Sequence, residues 1–181
     1  MVKDVYQCVK ESSKKGFKIA RGIKLLRRAY ESFKLVSEYR AKFVQLDTVL
    51  SPRFDRRTFE MNRTEYFSIS VLGGVRFKYI LSSGKLLEED LVEGKLRAEV
   101  IVTTWEGTGI ETPIEKLKDF KVLLGDYPFL VGAGINKSNI QEQLKICDGA
   151  IVGSALKFDN CTQNEMDLEK IESLVSLAIS I

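Results

Sequence analysis

Residues 128–157 read PFLVGAGINKSNIQEQLKICDGAIVGSALK, and their reading decides the fold. Two apolar runs, FLVGAG at 129–134 and AIVGSA at 150–155, each stop in a glycine and a small residue. Between them NIQEQLKI has helical spacing, opened by Asn136 or Ser138. Strand, helix and strand within 30 residues make a crossover, and a crossover joins parallel neighbours. Glycine at the carboxyl end of each strand permits a sharp turn and close approach to peptide N–H groups. Two such ends side by side, each leading into a helix, form an anion site of the kind found after strands 7 and 8 of barrels. Gly132, Ala133 and Gly134 are expected to form one wall for a phosphate, and Gly153, Ser154 and Ala155 the other. Tight turning and close helix packing are the structural alternative for the same glycines.

Upstream the alternation repeats. Strand-like runs lie at 17–23 (FKIARGI), 41–49 (AKFVQLDTV), 67–80 (FSISVLGGVRFKYI) and 98–104 (AEVIVTT), ahead of those at 128–135 and 148–154. Leu26, Ala29 or Tyr30, Phe33 and Val36 recur at helical spacing after the first run. Ser83 is placed to cap a helix through Leu87 and Leu91 that Gly94 would end. TPIE at 112–115 is a start signal, with Thr112 at the cap and Pro113 in the first turn, followed by a stripe of Ile114, Leu117, Phe120 and Leu124. Asp167 opens the last helix. The pattern predicts a single α/β domain over 1–181 with a parallel sheet of about six strands, an incomplete TIM-type barrel, since closure takes eight strands and roughly 250 residues. An open doubly wound sheet is the alternative.

Composition narrows the chemistry. Of 181 residues 44% are apolar and 29% charged, which suits one globular core rather than a disordered chain. The 28 Lys and Arg against 25 Asp and Glu give +3, too little to point to nucleic acid, and the basic stretches KLLRR (24–28) and RFDRR (53–57) read as solvated surface. No apolar run approaches the roughly 20 residues of a membrane span, and the first residues lack a signal peptide's apolar centre, so a cytoplasmic protein is expected. Cys8, Cys147 and Cys161 are widely spaced without a CxxC pair, the pattern of reduced thiols rather than a zinc site. Histidine is absent, which excludes a His-containing triad and removes the commonest metal ligand. No metal or cofactor is expected.

The stretches VTTWEGTGIETPIEKLKDFK (102–121) and 128–157 resemble the C-terminal part of the BtpA family, named for a photosystem I biogenesis factor. FKIARGIKLLRRAYESFKLVSEYRAKFVQLDT (17–48) is similar to that family's third strand, third helix and fourth strand. The resemblance implies a TIM barrel with a GTG-type loop on Gly107, Thr108 and Gly109, a VGSG-type loop on 131–134 and an IVGSSLK-type loop on 151–157. It also implies that the family's first two strand-helix units have no counterpart here, residues 2–15 being the remainder of the second helix. Where the family's fifth strand carries a stretch resembling DVHVKH, this chain has Gly74, Val75, Arg76, Phe77, Lys78 and Tyr79, so only the lysine remains.

Lys78, Asp47 at the end of the second run and Glu106 just after the fourth are the candidate catalytic residues, because chemistry in this fold sits at carboxyl strand ends. The plainer alternatives are a rim lysine for Lys78, a turn or helix cap for Asp47, and loop packing for the neighbouring Trp105. Two functions follow. One is a barrel that grips a phosphorylated sugar or nucleotide at Gly134 and Ser154, with or without catalysis. The other is a degenerate, non-enzymatic family member that assembles or stabilises a complex. An incomplete sheet leaves edges to cover, so a homodimer is expected, with the N-terminal helix bearing Val5, Tyr6 and Val9 packed at the gap.

Overall fold

β-Branched and aromatic residues at 43–46, 70–74, 100–103 and 129–132 form the centre of the sheet because both of its faces are covered, as parallel strands require. The computed structural model describes residues 20–25, 28–50 and 56–180. In chain order the elements are β1 (Gly22–Ile23), α1 (Ala29–Glu38), β2 (Phe43–Leu46), α2 (Arg56–Glu65), β3 (Ser70–Gly74) and α3 (Leu87–Lys95). They continue with β4 (Val100–Thr103), α4 (Ile114–Leu124), β5 (Phe129–Gly132), α5 (Ile140–Leu144), β6 (Gly149–Ile151) and α6 (Leu168–Ile179). Short 3-10 turns at Ser154–Leu156 and Phe158–Asn160 lie between β6 and α6.

All pairings between these six strands are parallel and the spatial order is β1-β2-β3-β4-β5-β6, identical to the chain order. A doubly wound sheet would reverse its order at a switch point; consecutive order is that of a barrel. Val44, Val71, Ile101, Phe129 and Val131 are fully buried along the sheet. Phe33 and Val36 of α1, Leu91 of α3, and Leu117 and Phe120 of α4 close over them. The Phe120 and Phe129 rings stack at 5.4 Å, tying α4 to β5. Each such side chain contributes about 1.5–3 kcal/mol by leaving water.

Several boundaries differ from the sequence reading, each for a local reason. The run at 67–80 is strand only through Gly74; Arg76 and Tyr79 adopt left-handed backbone angles, φ 48° and 60°, and turn the chain out of the sheet. Gly94 lies inside α3 rather than after it. A methyl group there would stand 2.8 Å from Val75 and 3.1 Å from Ile101, so the glycine lets the helix approach the sheet. The N-cap of α3 is Leu86, whose N–H donates to Glu89, while Ser83 donates to Asp90. The cap of α4 is Pro113, one residue after Thr112, and α5 is capped by Asn139 rather than Asn136 or Ser138. Asp167 caps α6 as read, accepting from the N–H of Lys170 at 3.2 Å. Helix α2 has no counterpart in the sequence reading, because of its residues only Phe59 carries a buried apolar side chain. Leu26, Cys8 and the N-terminal stretch with Val5, Tyr6 and Val9 lie outside the described residues.

Candidate functional site

The carboxyl ends of the strands bring most of the sequence-selected residues to one rim. Asp47 follows directly on β2, and its carboxylate pairs with Lys24, just past β1, at 2.5 Å. A side chain at Gly74 would overlap the Asp47 carbonyl, so the bare backbone of β3 is what lets the two strand ends lie together. The Lys24 ammonium also stands 5.0 Å over the Phe77 ring.

Lys78 sits in the loop after β3. Its N–H donates to the Thr104 hydroxyl at 2.6 Å, which fixes the loop to the end of β4, and its ammonium donates to the Thr108 hydroxyl at 3.0 Å. Burial lowers its pKa from the ordinary value of 10.5; Lys24 adds to that, while Tyr79 and Asp47 oppose it. The Tyr79 hydroxyl accepts from the Thr108 N–H at 3.0 Å, and this bonding with Thr108 lowers the phenol's pKa. Thr108 of the 107–109 loop is therefore held by two side chains from the preceding loop.

The glycine loops converge on the other side. The register pairs Gly132 with Ile151 as the last residues of β5 and β6, so the loops that begin at Ala133 and Val152 leave the sheet side by side. Ala133 and Gly134 are both left-handed, at φ 69° and 68°. A Cβ on Gly134 would overlap the backbone of Ile110 and Glu111, so the close approach this glycine allows is to the neighbouring loop. Gly134 also accepts from the amides of Asn136 and Asn139 through its carbonyl. Gly153 has open space where a side chain would stand, and a Cβ on Gly109 would lie 3.9 Å from the Ser154 hydroxyl. Among the described residues no acceptor takes the N–H groups of Ser154 and Ala155, which open a 3-10 turn.

A hollow of about 790 Å³ lies not over these glycines but between the loops after β3 and β4. Lys78, Glu106, Trp105, Arg76 and Lys116 all line it. Glu106 is exposed there, with no ion pair among the described residues. Lys116, in the first turn of α4, was not singled out in the sequence. It folds back over the strand ends, donates to the Thr104 carbonyl at 2.6 Å and the Arg76 carbonyl at 3.0 Å, and stands 5.4 Å from the Trp105 ring. Burial, with the Arg76 charge nearby, lowers its pKa to about 8.

Cys147 is buried, which pushes its thiol up to about 12 and leaves it inert as a nucleophile; Cys161 is exposed. Among the described residues no group of His, Cys, Asp and Glu is arranged to hold a metal ion, and no helix is long and apolar enough to cross a membrane.

Known proteins give this arrangement its setting. An uncharacterised protein of Methanocaldococcus jannaschii is 29% identical over 171 residues, which cover 87% of this chain and 64% of the relative; the chain thus spans less than two thirds of that protein's length. Among solved structures, 3-hexulose-6-phosphate synthase from Salmonella typhimurium superposes with a TM-score of 0.67 at 14% identity, covering 98% of this chain and 80% of the enzyme. N-(5'-phosphoribosyl)anthranilate isomerase from Pyrococcus furiosus superposes at 0.63 and 16% identity, covering 96% and 81%. At those identities the likeness carries the fold, six parallel strands of a TIM-type barrel. A family model matches residues 6–180, and the chain belongs to the BtpA family.

Proposed function

We propose that this chain binds the phosphoryl group of a small metabolite at the ends of β5 and β6, with the remainder of the ligand directed toward Lys78. The observation that carries this reading is the pair of N–H groups on Ser154 and Ala155, which have no acceptor among the described residues and border the open space at Gly153. Peptide N–H groups at a turn opening suit a phosphate because they supply directed donors without the desolvation of a full cation. The two enzymes with the same fold are named for phosphorylated compounds, which agrees with it. Gly132, Ala133 and Gly134 serve mainly to seat the 107–111 loop beside the phosphate, and Gly107, Thr108 and Gly109 form the side wall next to Ser154. Asp47 is already paired with Lys24. In this reading it steadies the cationic rim, and exposed Glu106 is the remaining acid-base group on the ligand's far side.

Lys78→Met tests the direction of the ligand. It is expected to weaken binding of sugar phosphates by about tenfold, as loss of one charge-assisted hydrogen bond of roughly 1.5 kcal/mol would do, with the ligand-free melting temperature nearly unchanged. Titration calorimetry beside thermal melts separates the two effects; a large fall in ligand-free stability at unchanged affinity would make Lys78 a structural residue. If no phosphorylated compound stabilises the wild type, the non-enzymatic assembly role replaces this reading.

The reading extends to a homodimer. Among the described residues β1 and β6 each have one strand neighbour, so the sheet presents two edges. A two-fold dimer that covers the β1 edge is expected to sediment at about twice the 20.5 kDa of the chain. A stable monomer at micromolar concentration would remove it.

A further inference from the structure

We propose that Lys116 is a reactive amine that captures the carbonyl carbon of a small aldehyde or ketone entering the hollow between the loops after β3 and β4. Four observations place it. Its Nζ lies within hydrogen-bond distance of two main-chain carbonyl oxygens, Thr104 at 2.6 Å and Arg76 at 3.0 Å. A neutral amine has two N–H bonds and one lone pair. Directing both N–H bonds to those carbonyls leaves the lone pair on the remaining side of the nitrogen, whereas an ammonium would hold a third N–H there. Second, no carboxylate forms an ion pair with Lys116 among the described residues. Glu106 and Asp90 line the first hollow and Glu115 and Asp119 an adjoining one, yet Asp90 is paired with Arg76. Third, Lys116 lines both hollows, and its Nζ bond to the Arg76 carbonyl lies on the exposed side. Fourth, the Arg76 cation lines the same hollows and disfavours a second positive charge, outweighing the Trp105 and Phe120 ring faces, 5.4 and 5.7 Å away, which favour one.

The step balances without a co-reactant. The lone pair of Nζ forms a bond to the carbonyl carbon, the π electrons move to oxygen, and a proton from nitrogen is returned to that oxygen to give a carbinolamine. Loss of the hydroxyl with one further proton, as water, leaves the C=N bond. Glu106 lines the same hollow and is the group proposed to relay that proton. The pKa of about 8 agrees with the geometry. At pH 7 about a tenth of such an amine is neutral, against roughly one part in 3,000 for an ordinary lysine. Lower basicity costs some intrinsic nucleophilicity, by analogy with thiols, so a net rate advantage of about 10- to 30-fold is expected.

The probe is glyceraldehyde, which carries no phosphate, so the outcome is independent of the phosphate reading. Folded wild-type protein is incubated at pH 7 with limiting glyceraldehyde and cyanoborohydride, and the modified lysines are mapped by peptide mass. Expected is labelling at Lys116 at least about tenfold faster than the mean of the other lysines, with an apparent pKa near 8 for the rate, and loss of that fast phase in Lys116→Arg. Labelling of Lys116 at or below the mean in the wild type overturns the proposal, whether or not the arginine variant folds. If Lys116 is labelled but no phosphorylated compound stabilises the protein, the amine stands and the phosphate site falls.

Discussion

Gly134→Leu lowers the melting temperature of the ligand-free protein by roughly 10 °C. The residue is left-handed at φ 68°, where an ordinary side chain costs about 1–2 kcal/mol. Its Cβ would also overlap the main chain of Ile110 and Glu111, which can yield only by moving the 107–111 loop; such overpacking costs about 1–3 kcal/mol. For a domain of this size each kcal/mol moves the midpoint by about 2–4 °C. Thermal unfolding followed by circular dichroism measures it, and a shift under about 2 °C would mean that the loop withdraws without cost. The substitution therefore probes loop seating. It would reduce ligand binding even if Gly134 never met a ligand, and a cleaner probe of the anion must sit elsewhere.

Ser154→Glu is that probe, and it is expected to abolish stabilisation by phosphorylated ligands while leaving the ligand-free protein intact. Ser154 is half-buried, its hydroxyl has no partner among the described residues, and the adjacent Gly153 borders open space, so a longer side chain has room. A carboxylate there repels a phosphate and can itself take the N–H groups of the turn, a loss on the order of 100-fold in affinity. Ser154→Ala removes one hydroxyl donor and keeps the peptide donors, about 1 kcal/mol or roughly fivefold. Thermal-shift titration with inorganic phosphate and a panel of sugar phosphates ranks the three proteins. Equal shifts for wild type and Ser154→Glu would end the assignment of the phosphate to this turn.

Much of the fold was readable because parallel strands covered on both faces have short apolar signatures. FLVG and AIVG stood out, and Phe33, Leu117 and Phe120 kept helical period through polar sequence. Helix α2 escaped because its stability comes from one anchoring ring, Phe59, set edge-on against Phe33 at 6.2 Å, and not from a stripe. Thr112 looked like a cap from its neighbours, yet it is fully buried with its hydroxyl unpartnered among the described residues, which spacing could not reveal. The site divided in the same way. The rim with Lys78 and the 107–109 loop was visible through the resemblance to the family's fifth-strand stretch and GTG-type loop. Lys116 was not, since nothing in EKLKDFK distinguishes the lysine that folds back over β3 and β4 from the exposed Lys118 beside it.

The identity of spatial and chain order has a consequence for how the polypeptide reaches this state. Gly22 pairs with Phe43, Leu72 with Val100 and Leu130 with Gly149, so among the described residues every contact between neighbouring strands closes within a single strand-helix-strand segment. Among the described residues no early strand pairs with a late one, so loop-closure entropy is met in small increments rather than one long excursion. During synthesis, each emerging strand finds its template on the edge laid down just before it, and the helix that follows seals the new face. Growth of this kind resembles that of a repeat array, where adding or removing one segment alters the end of the stack without disturbing the pairings already made.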